Sequence, residues 1–163
     1  NTDYAQWPLA LPVMMLFISS FATSAGSTGG GIKLIRMIIL VKQTRREMVR
    51  LLHPRAVNPV RLGGMPVSSK VIFSVLAFML VYSGAIIVMT MVLLLTGLDG
   101  LTAFSAVFAS VNNTGPGLGL VGPAGYYGHL NAFQTWVCSF AMLIGRLELF
   151  TVLVLFTPEF WRK

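Results

Sequence analysis

Four apolar stretches of the chain, 7–22, 31–41, 71–96 and 132–157, are separated by polar or glycine-rich segments. As helices rising about 1.5 Å per residue, the last two are each about 40 Å long, more than the ~30 Å hydrocarbon core of a bilayer. The sequence therefore predicts two complete membrane-spanning helices. The first two stretches are too short to span alone, but only the small-residue run from Ala22 to Gly31 separates them. Together they predict one crossing that is interrupted in its middle.

A fifth apolar segment, 101–111, lies in the connection between the two long helices. Its 11 residues form a helix of only about 16 Å, half the thickness of the membrane core. Asp99 is a candidate N-cap, and Pro116 with its neighbouring glycines ends the helix. We expect a helix that dips into the membrane and returns. A helix lying on the membrane surface is the alternative, although the segment lacks the charged face typical of such helices.

Composition and charge place the chain in a membrane and orient it. Hydrophobic residues make up 55 %, charged residues only 10 %, and the mean hydropathy is +0.77. Nine of the twelve Lys and Arg residues lie between 33 and 70, whereas 97–131 contains none. By the positive-inside rule, 43–70 and the C-terminus are cytoplasmic and 97–131 is outside. The basic segment has no interleaved aromatic residues, so we expect no nucleic-acid partner.

A short helix that enters the membrane and continues as a glycine-containing strand is suited to an ion path. Stacked backbone carbonyls can replace the hydration shell of a monovalent cation, and the helix directs its negative carboxyl end towards them. The strand begins in the run Asn112, Asn113, Thr114, Gly115. Irregular backbone at membrane depth is tolerated only where it lines a cavity or is buried by protein.

The small-residue run in the interrupted crossing has three interpretations. Its members are Ser24, Ala25, Gly26, Ser27, Thr28, Gly29, Gly30 and Gly31. A phosphate-binding loop is disfavoured, because the Gly-Lys-Ser/Thr ending is absent and the flanks are apolar. Tight helix packing through small residues and a flexible intramembrane loop that obstructs or lines a water path both remain open.

Arg146 lies near the middle of the stretch 132–157. A charge at that depth faces a bundle interior, a cavity or a partner from another segment. One hypothesis is that it forms a movable positive barrier inside a cation path. Tyr126 and Tyr127 read as interfacial anchors, and Cys138 reads as a small core residue. No catalytic or metal-ligating set of side chains is present in the sequence, so no enzyme is predicted.

Four motifs together carry a resemblance that covers nearly the whole chain: TDYAQWPL, SAGSTGGGIKLIR, VNNTGPGLG and GRLELFTVLVLFTPEFWRK. They resemble the C-terminal part of the Trk-type bacterial potassium uptake subunits, the TrkH family of the TrkH/KtrB/HKT superfamily. The resemblance implies an all-α integral membrane fold with potassium-channel-like repeats. Each repeat has an outer helix, a re-entrant pore helix with a filter strand, and an inner helix. Because the chain opens on Asn1 without a signal peptide, we expect a fragment of a longer protein.

The resemblance also divides the chain. It implies that 1–42 is the second, broken helix of repeat three, with the intramembrane loop at 22–31, and that 43–70 is a basic cytoplasmic linker. Repeat four then occupies 71–157, with the outer helix at 71–96, the pore helix at 101–111, the filter at 112–117 and the inner helix at 132–157. The cytoplasmic C-terminus is 158–163.

The implied function is gated, channel-like uptake of potassium across the bacterial inner membrane by a multi-pass protein. Potassium is the substrate, bound at Asn113 and Thr114 within the filter residues 112–115, and no cofactor is expected in this chain. Residues 24–31 are the implied gating loop, with Arg146 below the filter near it. The implied partners are a second copy in a homodimer, the cytoplasmic nucleotide-binding subunit TrkA and membrane lipids.

Two other functions compete with this one. An ion-coupled secondary transporter would use the broken helix as its substrate site, and a surface helix at 101–111 would favour it. A structural or assembly subunit would tolerate changes at Gly115 and Arg146.

Overall fold

A computed structural model describes residues 3–4, 7–8, 10–21, 30–55 and 58–147. Five helices account for most of it: α1 (Ala10–Ser20), α2 (Leu34–Leu52), α3 (Ser69–Leu95), α4 (Gly100–Asn112) and α5 (Ala132–Arg146). A small antiparallel hairpin, β1 (Arg61–Leu62) and β2 (Met65–Pro66), joins α2 to α3. Two 3-10 turns, Gly119–Val121 and Tyr127–His129, lie between α4 and α5.

Helix α3 is apolar throughout its 27 residues, which gives it a length of about 40 Å. Among the described residues it alone is long and apolar enough to cross a membrane, while α1 and α4 are apolar but shorter. The sequence predicts this helix over 71–96. Helix α5 begins where the last span is predicted to begin, with a capping box formed by Asn131 and Gln134. The rest of that predicted span, from residue 148, lies outside the described residues.

The predicted interruption lies between α1 and α2. After Phe21 the chain is next described at Gly30 and Gly31, and Gly31 has φ +83°. The amide of Ile32 donates to the carbonyl of Ser20 at 3.2 Å. The backbone at Ile32 therefore lies beside the carboxyl end of α1.

The prediction that 43–70 is a linker needs correction, because α2 continues through Leu52. Its second half consists largely of unbranched residues with good helix propensity, and Gln43 donates to the Glu47 carboxylate one turn later at 2.8 Å. Pro54 disfavours helix at the residue before it, and α2 ends ahead of His53. The continuous apolar run ends at Val41, before the helix does, which explains why the sequence pattern did not predict helix over 43–52.

Helix α4 lies at the centre of the main core and is packed by α1, α3 and α5. Its buried residues occur on every side of the helix, as expected for a segment that is apolar all round. This burial overturns the alternative of a surface helix at 101–111. The core residues around it include Leu16, Phe78, Leu93, Val121, Cys138 and Ile144.

Candidate functional site

The amino end of α4 is capped as the sequence predicts. The Asp99 carboxylate accepts a hydrogen bond from the Thr102 amide at 3.1 Å. Hydrogen bonding by Thr102 lowers the pKa of the Asp99 carboxyl group. With this end fixed, the helix directs the negative end of its dipole, formed by the last carbonyls, at the segment that follows Asn112.

The chain turns sharply at the carboxyl end of α4. Asn113 is left-handed, with φ 54°, and its amide donates to the Ser110 carbonyl at 3.0 Å. Asn tolerates this conformation better than most residues other than glycine. The Thr114 amide and hydroxyl both donate to the Ala109 carbonyl, at 3.0 and 3.3 Å. The start of the strand is therefore tied to the helix end, and the Thr114 side chain is turned towards the helix.

Asn112 belongs to the helix rather than to the predicted strand. It is buried, its side-chain oxygen accepts from the Tyr82 hydroxyl at 2.9 Å, and its amide group donates to the Phe108 carbonyl at 2.7 Å. Both ends of the side chain thus bind protein groups, and the strand begins after Asn113. The predicted filter begins at Asn112, which is the last residue of α4, because the polar pair Asn112 and Asn113 resembles a helix stop.

The returning segment is held by polar side chains of α4 itself. The Ser105 hydroxyl accepts from the Leu118 amide at 2.8 Å and donates to the Leu118 carbonyl at 3.1 Å. Thr102, one turn earlier, accepts from the Leu120 amide at 3.2 Å. A Cβ on Gly117 would lie 3.1 Å from the Ser105 carbonyl oxygen. Helix and returning segment therefore form one hairpin whose buried polar groups satisfy each other.

Two tyrosines bind the carbonyls of the strand. Tyr127 donates to the Gly115 carbonyl at 2.9 Å, and Tyr4 donates to the Gly117 carbonyl at 2.8 Å. The sequence reading of Tyr127 as an interfacial anchor missed this contact. The hydrogen bond of Tyr4 could not be predicted from the sequence, because its partner lies 113 residues away.

The end of the predicted gating loop touches the carboxyl end of α4. A Cβ on Gly30 would lie 2.6 Å from the side-chain nitrogen of Asn113 and 3.1 Å from the backbone carbonyl oxygen of Asn112. A Cβ on Gly31 would overlap the Asn112 side-chain oxygen. Only glycines allow this approach. The other predicted loop residues, 24–29, lie outside the described residues.

Helix α5 reaches the same place through Gly145. A Cβ on Gly145 would overlap the Val111 carbonyl oxygen, and the Asn113 side chain donates to the Met142 carbonyl at 3.2 Å. Arg146 is the next residue and the last of α5. The backbone of Arg146 therefore lies next to the contact between Gly145 and the end of α4, and the residue is exposed. Gly145 was not predicted, since a glycine within an apolar helix gives no distinct signal.

The segment after Asn113 offers backbone carbonyls, which are hard oxygen ligands, while its Thr114 hydroxyl donates to the Ala109 carbonyl. In the part of the chain that the structure describes, no three His, Cys, Asp or Glu side chains are grouped to hold a metal ion. A central short helix, a strand of glycines and an adjoining apolar span of α3 define a helical membrane protein with a potassium-channel-like repeat.

Comparison with known proteins gives the family. The family model described as "TrkH: Cation transport protein" matches residues 1–163, so the chain belongs to the TrkH family of cation transporters, which is not a family of enzymes. It is 48 % identical over 163 residues to the Trk system potassium uptake protein TrkH of Vibrio parahaemolyticus, covering 100 % of this chain and 33 % of that protein.

Other relatives agree. The Trk system potassium uptake protein TrkH of Escherichia coli is 45 % identical over 159 residues, covering 98 % of this chain and 32 % of that protein. The crystal structure of the potassium transporter TrkH from Vibrio parahaemolyticus matches with a TM-score of 0.90 at 48 % identity, over 99 % of this chain and 34 % of that one. The chain spans about one third of the length of these relatives.

Proposed function

We propose that this chain supplies part of a gated, channel-like pore for potassium uptake across the bacterial inner membrane. The observation that carries the proposal is the meeting of three segments at the carboxyl end of α4. These are the strand after Asn113, the loop end at Gly30 and Gly31, and the Gly145–Arg146 end of α5. A filter, a gate and a charge in one ion path require that proximity.

In this proposal the segment 113–117 forms the fourth side of a selectivity filter. Backbone carbonyls of Asn113 and Thr114 bind the dehydrated potassium ion, with the α4 dipole adding negative potential. Gly115 has φ +98°, a conformation that favours glycine and sets the path of the strand. The remaining filter strands come from other repeats of the full-length protein.

The gate in this proposal is the loop 24–31. At its end, Gly30 and Gly31 lie against Asn112 and Asn113. A movement of the loop would therefore change the entrance to the strand. Arg146 adds a positive charge on the same side of the strand, which raises the electrostatic barrier to a cation. Movement of the loop would change that barrier together with the width of the path.

The burial of α4 favours this function over an ion-coupled secondary transporter. A transporter built on the broken helix alone would leave 101–117 without a role in the path. Here α4 is the centre of the core, and Gly30 and Gly31 lie against its carboxyl end.

We further propose the setting in which the chain works. The full-length protein is multi-pass with a cytoplasmic C-terminus, it pairs as a homodimer, and membrane lipids surround it. The exposed basic half of α2 and the hairpin present Arg45, Arg50 and Arg61 at the surface. This surface suits the cytoplasmic nucleotide-binding subunit TrkA as a docking partner. Relatives named as members of a Trk system support a multi-component assembly.

Potassium flux through the full-length protein in liposomes tests the proposal. We expect Gly115→Ser to reduce potassium flux or relax its preference over sodium, because a side chain strains the left-handed backbone of the strand. We expect Arg146→Ala to raise or alter flux, while Arg146→Lys, which keeps the charge, stays closer to wild type.

Gly97→Ser is the matched control for the glycine variant. Gly97 has φ +89° and, like Gly115, space for a Cβ with no described atom within 4 Å, but it lies in the turn after α3. It carries the same backbone strain, of about 1–2 kcal/mol, away from the strand. Wild-type flux and selectivity in both Gly115→Ser and Arg146→Ala would contradict the proposal.

A further inference from the structure

Two tyrosines from distant parts of the chain bind alternate carbonyls of the strand. Tyr127 precedes α5, Tyr4 precedes α1, and their hydroxyls donate to Gly115 and Gly117 at 2.9 and 2.8 Å. Both rings are partly buried and pack against the main core. The two contacts are therefore anchored in the fold rather than in loose surface side chains.

Hydrogen bonds from α4 hold the two ends of the strand, and the Gly117 amide donates to the Val121 carbonyl at 2.8 Å. Helix side chains and carbonyls bind Thr114 at the start and Leu118 at the finish. Gly115 and Gly117 lie between them, and glycine has the freest backbone of any residue type. A Cβ on Gly115 would meet no described atom within 4 Å. Among the described hydrogen bonds, the one from the Tyr127 hydroxyl restrains the Gly115 carbonyl.

The tyrosines approach the strand from two sides. Tyr4 shares a cavity of about 150 Å³ with Thr114 and Pro116. Tyr127 shares a second, more open cavity of about 780 Å³ with Gly115 and Pro116. Pro116 borders both cavities, and each tyrosine lines a different one.

The backbone of each tyrosine takes part in a local turn. The Tyr127 carbonyl accepts from the amide of buried Leu130 at 3.1 Å, and the Tyr4 carbonyl accepts from the Trp7 amide at 3.1 Å. Burial raises the pKa of Tyr127 to about 12. Its hydroxyl therefore keeps its proton, and with it the ability to donate, at physiological pH.

We propose that Tyr127 and Tyr4 are positioning residues that hold the Gly115 and Gly117 carbonyls and thereby set how strictly the strand prefers potassium over the smaller sodium ion. The inference rests on the proposed function, in which this strand is a filter. Discrimination by carbonyls depends on how many dipoles face the ion and how far they can follow a smaller one. Releasing a carbonyl from its tyrosine lets it move inwards, so sodium gains more than potassium does.

The experiment compares potassium and sodium flux through the full-length protein in liposomes for Tyr127→Phe, Tyr4→Phe and the double variant. Phenylalanine keeps the ring and removes only the hydroxyl. Loss of one neutral hydrogen bond corresponds to about a 3- to 10-fold change, so we expect the potassium-to-sodium flux ratio to fall by that factor in each variant and further in the double variant. Tyr126→Phe is the matched control, because Tyr126 is the neighbouring, 62 % exposed tyrosine and its ratio should not change.

Gly115→Ser, measured alongside, distinguishes a failure of the tyrosine proposal from a failure of the proposed filter function. If it alters the ratio while the phenylalanine variants equal wild type, the strand is a filter and the tyrosine proposal is overturned. If neither kind of variant alters the ratio, the proposed function fails and this inference with it. A general loss of stability would lower both fluxes together and leave the ratio unchanged, which also counts against it. Should Tyr127→Phe fail to accumulate in the membrane, Tyr4→Phe carries the test alone.

Discussion

Helices α4 and α2 both carry several polar side chains, yet they place them in opposite surroundings. Ten of the 13 residues of α4 are buried, whereas Ile39 is the one buried residue among the 19 of α2, all of which the structure describes. In α4 the hydroxyls of Thr102 and Ser105 turn inwards and bind the returning backbone. In the outer half of α2, Arg45 and Arg50 are exposed, and Glu47 meets Arg46 and Arg50 at 3.3 and 4.0 Å. Arg36, in the inner half, instead lies over the Phe78 ring at 4.0 Å.

The difference shows where the sequence is constrained. A buried polar group that loses its partner costs about 1–3 kcal/mol, whereas an exposed ion pair contributes about 0–1 kcal/mol. Changes around α4 should therefore damage the fold and the ion path together. Changes on the outer half of α2 should leave both intact and affect only what binds that surface.

The largest expected effect is at Gly145, where α5 meets the end of α4. Gly145→Ala places a Cβ on the Val111 carbonyl oxygen, and since backbone atoms cannot yield locally, the two helices must separate. We expect a loss of about 3 kcal/mol, the upper end for overpacking, seen as reduced thermal stability of the purified full-length protein and loss of potassium flux.

Gly84→Ala is the control for this variant. Gly84 also lies within an apolar helix, α3, but its Cβ would meet no described atom within 4 Å. Alanine there should be neutral or slightly stabilising, because it has the higher helix propensity. Equal stability of the two alanine variants would show that α5 does not press on the end of α4.

Next in size is Ser105→Ala, which removes the one side chain that binds both backbone groups of Leu118. The amide and carbonyl of Leu118 would be left buried without that partner, so we expect destabilisation of about 2 kcal/mol by thermal unfolding in detergent. Ser139→Ala removes a hydroxyl that donates to the Thr135 carbonyl on an exposed helix face and should cost less than about 0.5 kcal/mol. Similar losses in both would contradict the inward role of the α4 hydroxyls.

Much of the α4 hairpin was predictable because its signals are local. A short apolar run between Asp99 and the Gly-Pro-Gly segment specifies a capped helix of limited length, and the structure has it at Gly100–Asn112. The long apolar run of α3 is equally direct. Both helices could be predicted because a run of apolar residues along the sequence is by itself enough to indicate each of them.

The contacts around the strand could not be predicted in the same way. The bond from Tyr4 to Gly117 and the approach of Gly145 to Val111 depend on which helices pack together. A single tyrosine or glycine in an apolar sequence is compatible with many neighbours. The outer half of α2 was missed for another reason, since the continuous apolar run ends at Val41 while the helix continues to Leu52.

A smaller effect is expected at Asp99, the cap at the far end of α4. Hydrogen bonds from Thr102 lower the pKa of this carboxyl group. The folded state therefore binds its proton less readily than the unfolded chain does. The stabilisation is present above the unfolded pKa and lost as pH falls through the folded pKa.

Asp99→Ala should cost about 1 kcal/mol at neutral pH. Asp99→Asn should retain most of the cap while removing its contribution to acid sensitivity, which thermal unfolding at pH 7 and pH 3 would reveal. A pH dependence unchanged in Asp99→Asn would assign the acid sensitivity to other carboxyl groups.

The smallest effect on stability is expected on α2. Arg45 is exposed on the basic half of the helix, so Arg45→Ala should change the free energy of unfolding by less than about 0.5 kcal/mol and leave potassium selectivity as in wild type. Its effect should appear instead in binding to the proposed cytoplasmic partner, as weaker association that is most evident at low salt, where exposed charges are least screened. Destabilisation as large as that of Ser105→Ala would mean that this face is packed in the full-length protein. The contrast between a closed α4 and an open α2 would then be a property of this segment alone.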